Sequence, residues 1–219
     1  KTVGNHTGIS KLVLLLVAFI MGVLFQRSNE YAWNTVTGGL RMQTAKATTD
    51  QWVQFKADDP RPRILVTGGC GFVGGFLVPK LQRKYPTATL KVVDNMWRGN
   101  LSNLVGKDGL PYIDLAKDVL VGDLTDERVS MLATKHVDMV FHLADIVAGI
   151  NYVFDHQHFL FQTNMRINMN TIRSSKLNGV RDFIYVGTAC SFPANLQESY
   201  EKRSIHENLT SPANPESSY

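Results

Sequence analysis

Cysteine is scarce in this chain: Cys70 and Cys190 are the only two in 219 residues, 120 positions apart, and neither has a second Cys or a His at ligand spacing. Neither a disulfide-built scaffold nor a zinc site is expected. His156, His158 and His206 are accompanied by no carboxylate pair or Cys at ligand spacing, so no metal is expected there either. Runs of one charge are also missing. The 23 Lys and Arg and 19 Asp and Glu, a net charge of +4, are spread along the chain, which suggests no nucleic-acid partner. No segment repeats. What remains is 44% hydrophobic and 19% charged, too apolar for disorder and enough for one packed domain.

Only one apolar run is long. Leu12 to Phe25 reads LVLLLVAFIMGVLF, which rises about 21 Å as a helix against about 30 Å of hydrocarbon. Extended from Gly8 to Gln26, with Lys11 reaching the headgroups, it spans about 28 Å, enough for a thin bilayer. A cleaved signal peptide is disfavoured because Phe25-Gln26-Arg27-Ser28 offers no small-residue cleavage pattern. A core helix is disfavoured because the run is terminal and apolar all round. Residues 1–27 are therefore expected to be a single-pass signal anchor. Lys1 and Lys11 before the run and Arg27 after it favour, weakly, a lumenal domain in the ER or Golgi. Residues 28–62, rich in Thr, Gln, Asn and Gly and closing on Asp58-Asp59-Pro60-Arg61-Pro62, read as a stem and linker. The globular domain is then 63–219. Because the chain opens on Lys1 and stops at Tyr219 within what reads as a starting helix, it is expected to be a C-terminally truncated piece of a longer product.

From Arg63 onward, short apolar runs alternate with helical patterns. Ile64–Val66, Leu90–Val93, Val119–Val121, Met139–Phe141 and Phe183–Val186 read as strands; Phe72–Arg83 and stretches near 125–135 and 158–177 read as helices. This alternation predicts an α/β fold, a Rossmann-type parallel sheet with helices on both faces.

The first strand runs into Thr67-Gly68-Gly69-Cys70-Gly71-Phe72-Val73-Gly74. Gly68, Gly71 and Gly74 fit G-x-x-G-x-x-G, and Gly69, Gly71 and Gly74 fit G-x-G-x-x-G. Glycines are needed where the chain turns sharply, where its backbone approaches a pyrophosphate and where the next helix packs on the strand. The helix opening at Phe72 and Val73 would receive the anion at its N-terminus. Asp94 ends the second strand twenty residues after Gly74, where a carboxylate can accept both ribose hydroxyls of NAD, with Asn95 beside it. A 2′-phosphate would be repelled there, a bias softened by nearby Arg98, so NAD is preferred over NADP. Gly122-Asp123-Leu124-Thr125-Asp126 follows the third strand. It reads either as an adenine edge or as a plain N-cap through Asp123 or Thr125.

Together ILVTGGCGFVGG, VVDNMWRGNLSNL, GDLTD, FHLAD and PANPESSY resemble the extended short-chain dehydrogenase/reductases that act on nucleotide sugars, the NAD-dependent epimerases and dehydratases. The resemblance covers 63–219. It implies adenine near Asp123 and Leu124, ribose at Asp94, a cofactor path beside Leu143 and Ala144, and a nicotinamide site of Ser/Thr, Tyr and Lys. Tyr219 matches the Tyr of Y-x-x-x-K by its lead-in, and the Lys of that motif falls four positions further on. Thr188-Ala189-Cys190-Ser191-Phe192-Pro193 is similar to the S-[SA]-C-I-Y-P segment of the GDP-mannose 3,5-epimerases and GDP-L-fucose synthases. That likeness implies that Thr188 is the catalytic hydroxyl and Cys190 an acid/base at the inverted sugar carbons. Ile146–Ile150, with Gly149 and Ile150, looks like their substrate loop, and Asn164 matches an Asn near the active face. His142-Leu143-Ala144-Asp145 departs from the family's H-L-A-A by placing a carboxylate beside the cofactor path. A nucleotide-sugar epimerase acting through a 4-keto intermediate, dimeric through a helix bundle, is the expected function. The alternatives are a dehydratase or decarboxylase of the same fold and a non-catalytic, membrane-tethered dinucleotide-binding module.

Overall fold

A computed structural model describes residues 52–188, together with 192, 193, 196 and 206–210. The expected anchor, most of the stem, Cys190 and Tyr219 lie outside the described residues. Among the described residues no helix is long and apolar enough to cross a membrane.

The order of elements is β1 (Arg63–Thr67), α1 (Phe72–Lys84), β2 (Thr89–Asp94), a 3₁₀ turn (Leu101–Leu104), β3 (Val119–Val121), α2 (Glu127–Thr134), β4 (Met139–His142), α3 (Ile150–Asp155), α4 (Gln157–Leu177) and β5 (Asp182–Tyr185), with a further 3₁₀ turn at Glu207–Thr210. The five strands form one parallel sheet in the order β3-β2-β1-β4-β5. This is the Rossmann-like architecture expected. Strand order reverses between β1 and β4, and ligands of such sheets bind at the carboxyl ends of the strands beside that reversal.

A strand buried on both faces reads as an unbroken apolar run, and β1 shows why. Ile64 and Val66 join Val78 and Leu81 of α1 and Leu104 in one core. Leu65, between them, joins Ala133 of α2, Val153 of α3 and Leu160 and Ile167 of α4 in the other. The α2 helix is capped by Asp126, whose side chain accepts from the Arg128 N–H, so neither Asp123 nor Thr125 is its N-cap. The six-residue α3 is not expected from the sequence pattern.

The end of the expected linker packs on the sheet. Phe55 is 3% exposed within the α2/α4-side core, with Trp52 against it. The Lys91 ammonium of β2 lies 5.0 Å from the Trp52 ring and 5.4 Å from the Phe55 ring, and pairs with Asp118 at 2.5 Å. The Val53 N–H donates to the Lys117 carbonyl at 3.1 Å. Folded structure thus starts by Trp52, upstream of the expected Arg63. Phe55→Ala should destabilise the domain by about 3 kcal/mol, read as a lower midpoint in urea unfolding with the slope unchanged.

Candidate functional site

The turn after β1 is built for close approach. Gly68 has φ +66°, and a Cβ there would stand 2.9 Å from the Ala144 backbone. At Gly74 a Cβ would stand 2.4 Å from the Gly69 carbonyl oxygen, so α1 lies directly on the turn. Gly71 precedes the helix without any side-chain cap, and the first turn holds no acidic residue. The N–H groups of that turn point out of the helix end, where an anion is favoured. The Phe72 and Val73 side chains are mainly solvent-exposed, so their part in such a site is played by their backbones.

Asp94 ends β2 beside this turn, 8% exposed. Its Oδ2 accepts from the Cys70 N–H at 3.0 Å and its Oδ1 from the Met96 N–H at 2.9 Å. Burial raises its pKa, and the two backbone donors oppose that rise. Each carboxylate oxygen keeps a further lone pair, so the ribose role remains chemically open. Cys70 itself is a core residue whose thiol is pushed up by burial first and by Asp94 second. Its carbonyl accepts from the Asn100 N–H and the Asn103 side-chain amide, which ties the loop after β2 to the glycine turn.

Asn95 links this corner to β3, donating to Asp123 Oδ2 at 3.3 Å and accepting from the Trp97 N–H at 2.9 Å. Asp123 Oδ1 accepts from both the N–H and the hydroxyl of Thr125. Burial would raise the Asp123 pKa, but the Thr125 and Asn95 donors outweigh it and the net shift is downward. Leu124 is 4% exposed in the core, and its carbonyl accepts from Ser130 and Asn170. Its side chain is thus in the core and its carbonyl is already engaged.

On the other side of β1 a hydrogen-bond chain fixes the loop after β4. Thr67 Oγ1 accepts from the Leu143 and Ala144 N–H groups, each at 3.1 Å. Its own hydrogen therefore goes to His142 Nδ1 at 2.7 Å. The ring then donates from Nε2 to Asn168 Oδ1 at 2.8 Å, and the Asn168 amide donates to the Tyr185 hydroxyl at 3.4 Å. This assignment needs a neutral imidazole, and burial indeed lowers the His142 pKa, with Asn168 opposing. Sequence alone assigns His142 no chemistry and does not single out Thr67. Both are positioning residues for Leu143 and Ala144, and no spacing rule links side chains 75 positions apart.

Asn164 also proves to be a positioning residue. Its Oδ1 accepts from the Ile146 N–H at 2.8 Å and its Nδ2 donates to the Ile146 carbonyl at 3.2 Å, so the amide that lines the cleft also clamps the loop. Asn164→Ala would strand both backbone groups of a buried residue and should cost about 2 kcal/mol. The accompanying loss of order in residues 143–149 is checked by faster amide exchange at Ile146.

These elements enclose a cleft of about 520 Å³ at the carboxyl ends of β4 and β5, lined by His142, Leu143, Ala144, Asp145, Asn164 and Thr188 among others. Thr188 stands on its wall. Gly149 caps α3 from the outside, with φ −63° and no atom within 4 Å of where a Cβ would stand; Ile150 is the first residue of that helix. Gly149 is not among the described residues that line the cleft. Asp145 keeps a solvent-exposed side, yet burial of its carboxyl pushes its pKa up to about 6, with the Ile146 N–H opposing.

The glycine cradle, the uncapped helix start and Asp94 fit a dinucleotide laid across the β1/β4 reversal. Bound there, its adenosine half would be met by the Asp94 and Asn95 corner after β2, and its other half by the residues lining the cleft. Comparison with known proteins agrees. GDP-mannose 3,5-epimerase of Arabidopsis thaliana is 25% identical over 162 residues, 72% of this chain and 39% of that protein. UDP-glucuronic acid decarboxylase 1 of Danio rerio is 33% identical over 129 residues, 59% of this chain and 28% of that protein. The dTDP-glucose 4,6-dehydratase DesIV of Streptomyces venezuelae, solved with NAD bound, superposes with a TM-score of 0.59 at 25% identity, over 72% of this chain and 47% of that one. The chain thus spans less than half the length of the proteins it matches. The NAD dependent epimerase/dehydratase family matches residues 64–219, and with well over half of its length inside that match, the chain belongs to this family.

Proposed function

We propose that the chain is the cofactor-binding part of an NAD-dependent nucleotide-sugar epimerase that works through a 4-keto intermediate. The observation that carries the reading is the placement of Thr188 on the wall of the cleft into which the turn of Gly68, Gly71 and Gly74 and the Asp94 corner direct a dinucleotide. When bound, NAD supplies a hydride acceptor at the sugar and returns the hydride later. Tyr219, assisted by Thr188, takes the proton of the sugar 4-hydroxyl. The resulting ketone acidifies the neighbouring C–H bonds, and Cys190 with a second acid/base group removes a proton from one face of such a carbon and returns one to the other. Thr67 and His142 hold the Leu143–Ala144 backbone along the cofactor path, and Asn164 holds Ile146.

A decarboxylase shares the tyrosine and NAD steps, but its substrate carries a carboxylate. Asp145 in a largely apolar cleft, with no Lys or Arg among the described lining residues, opposes such a group and supports an uncharged sugar. The test is product analysis of the full-length protein with GDP-mannose and UDP-glucuronate. Epimerised GDP-hexose is the expected product, and release of carbon dioxide from UDP-glucuronate would overturn the reading. The run 12–25 is proposed as a membrane tether with the domain in the lumen, and protease protection of the domain in sealed microsomes is the expected sign of it. A homodimer is proposed from the family resemblance.

A further inference from the structure

Asp145 is the one carboxylate among the described residues lining the cleft, and its position gives it a partner. It follows Ala144, whose backbone the Gly68 turn touches so closely that a methyl group at Gly68 would stand 2.9 Å away. Asp145 is therefore one residue from the point where β4 meets the phosphate-binding turn. Leu143 and Ala144 are held there by Thr67, and Ile146 by Asn164, so the residue between is fixed from both sides. A dinucleotide with its pyrophosphate at the start of α1 and its ribose at Asp94 would meet, with its other half, the cleft that Ala144 and Asp145 line.

The charges in that cleft are few. Beside its apolar side chains the cleft is lined by the neutral His142, the amides of Asn164 and Asn168 and the hydroxyls of Tyr185 and Thr188. No ion pair to Asp145 is formed among the described residues. With its carboxyl raised to about 6, Asp145 is mostly ionised at neutral pH and lines the cleft as a negative charge with no ion pair among the described residues.

Resting on the NAD reading above, we infer that Asp145 selects the redox state of the cofactor, holding the cationic oxidised nicotinamide in preference to the uncharged reduced ring. An attraction within an apolar cleft open to water on one side acts on the oxidised form alone, and should favour it by about tenfold in relative affinity. The preference suits an enzyme that must begin each cycle with an empty hydride acceptor.

The test is the ratio of Kd for NADH to Kd for NAD⁺ in the full-length protein at pH 8, for wild type, D145N and D145A. Both variants should lower the ratio about tenfold, mainly by weakening NAD⁺, with a Tm no lower than that of the wild type to show that the fold is kept. A ratio that stays the same, or a loss that falls equally on both forms, would overturn the inference and leave Asp145 as a residue that only shapes the cleft. A wild-type protein that binds neither form would overturn the cofactor reading itself, and this inference with it. A tenfold change in ratio carried by D145A and absent from D145N would also overturn it, since charge and not volume is the proposed cause.

Discussion

Gly74→Ala is expected to lower the stability of the domain by about 3 kcal/mol and to weaken NAD binding more than tenfold. The new methyl would lie 2.4 Å from the Gly69 carbonyl oxygen, 2.5 Å from its Cα and 2.6 Å from its carbonyl carbon. All three atoms are backbone of the glycine turn, so no side chain can rotate away. The only relief is to lift α1 off the turn. That movement opens the packing of Val78 and Leu81 against Ile64 and Val66, and it displaces the N–H groups that would meet the pyrophosphate. For a chain of this size the loss corresponds to a fall in Tm of about 6–12 °C. Gly149→Ala is the matched control for stability, because its φ is −63° and nothing lies within 4 Å of the added methyl. A Gly74 variant that melts with the wild type and binds NAD as well would remove the glycine turn from the site.

The elements legible in the sequence are those whose burial leaves a local pattern. β1 and β2 show as apolar runs because both faces are covered, and α4 is long enough to display a helical period. Residues 52–62 mislead for the opposite reason: Trp52 and Phe55 are isolated aromatics whose partner, Lys91, belongs to a strand far along the chain. The six residues of α3 are fewer than two helical turns, too few to show a period. At the site, Gly68, Gly74 and Asp94 are legible because backbone approach demands particular residues at particular spacings. The direction of an amide is not written that way. Asn164, expected at the substrate, lines the cleft, and nothing in the local pattern shows that its amide also pairs with the Ile146 backbone. Thr67 and His142 carry no spacing signal, since the sheet register alone brings them together.

Tyr219→Phe is expected to reduce turnover of the full-length enzyme by at least about 10³-fold while leaving NAD affinity within about twofold. A phenol with an ordinary pKa of about 10 is a weak base at neutral pH, so the fold must stabilise the phenolate, by a neighbouring cation and by the charge of the bound cofactor. The change removes one oxygen and no part of the glycine turn or the Asp94 corner, which is why binding should survive. Thr188→Ala should act in the same step, because Thr188 lies on the cleft wall and its hydroxyl is proposed to share the proton with Tyr219. Its effect should be smaller, about 10²-fold, since the base itself remains. Cys190→Ser separates this oxidation from the inversion. The serine variant should still oxidise the sugar 4-hydroxyl, seen as a transient rise in NADH absorbance. It should also lose deuterium wash-in at the ring carbons, because a serine hydroxyl is a much weaker acid than a thiol. If wash-in continues at the wild-type rate, Cys190 moves no proton, and a dehydratase or decarboxylase, neither of which needs that thiol, becomes the better account of the same tyrosine and the same NAD.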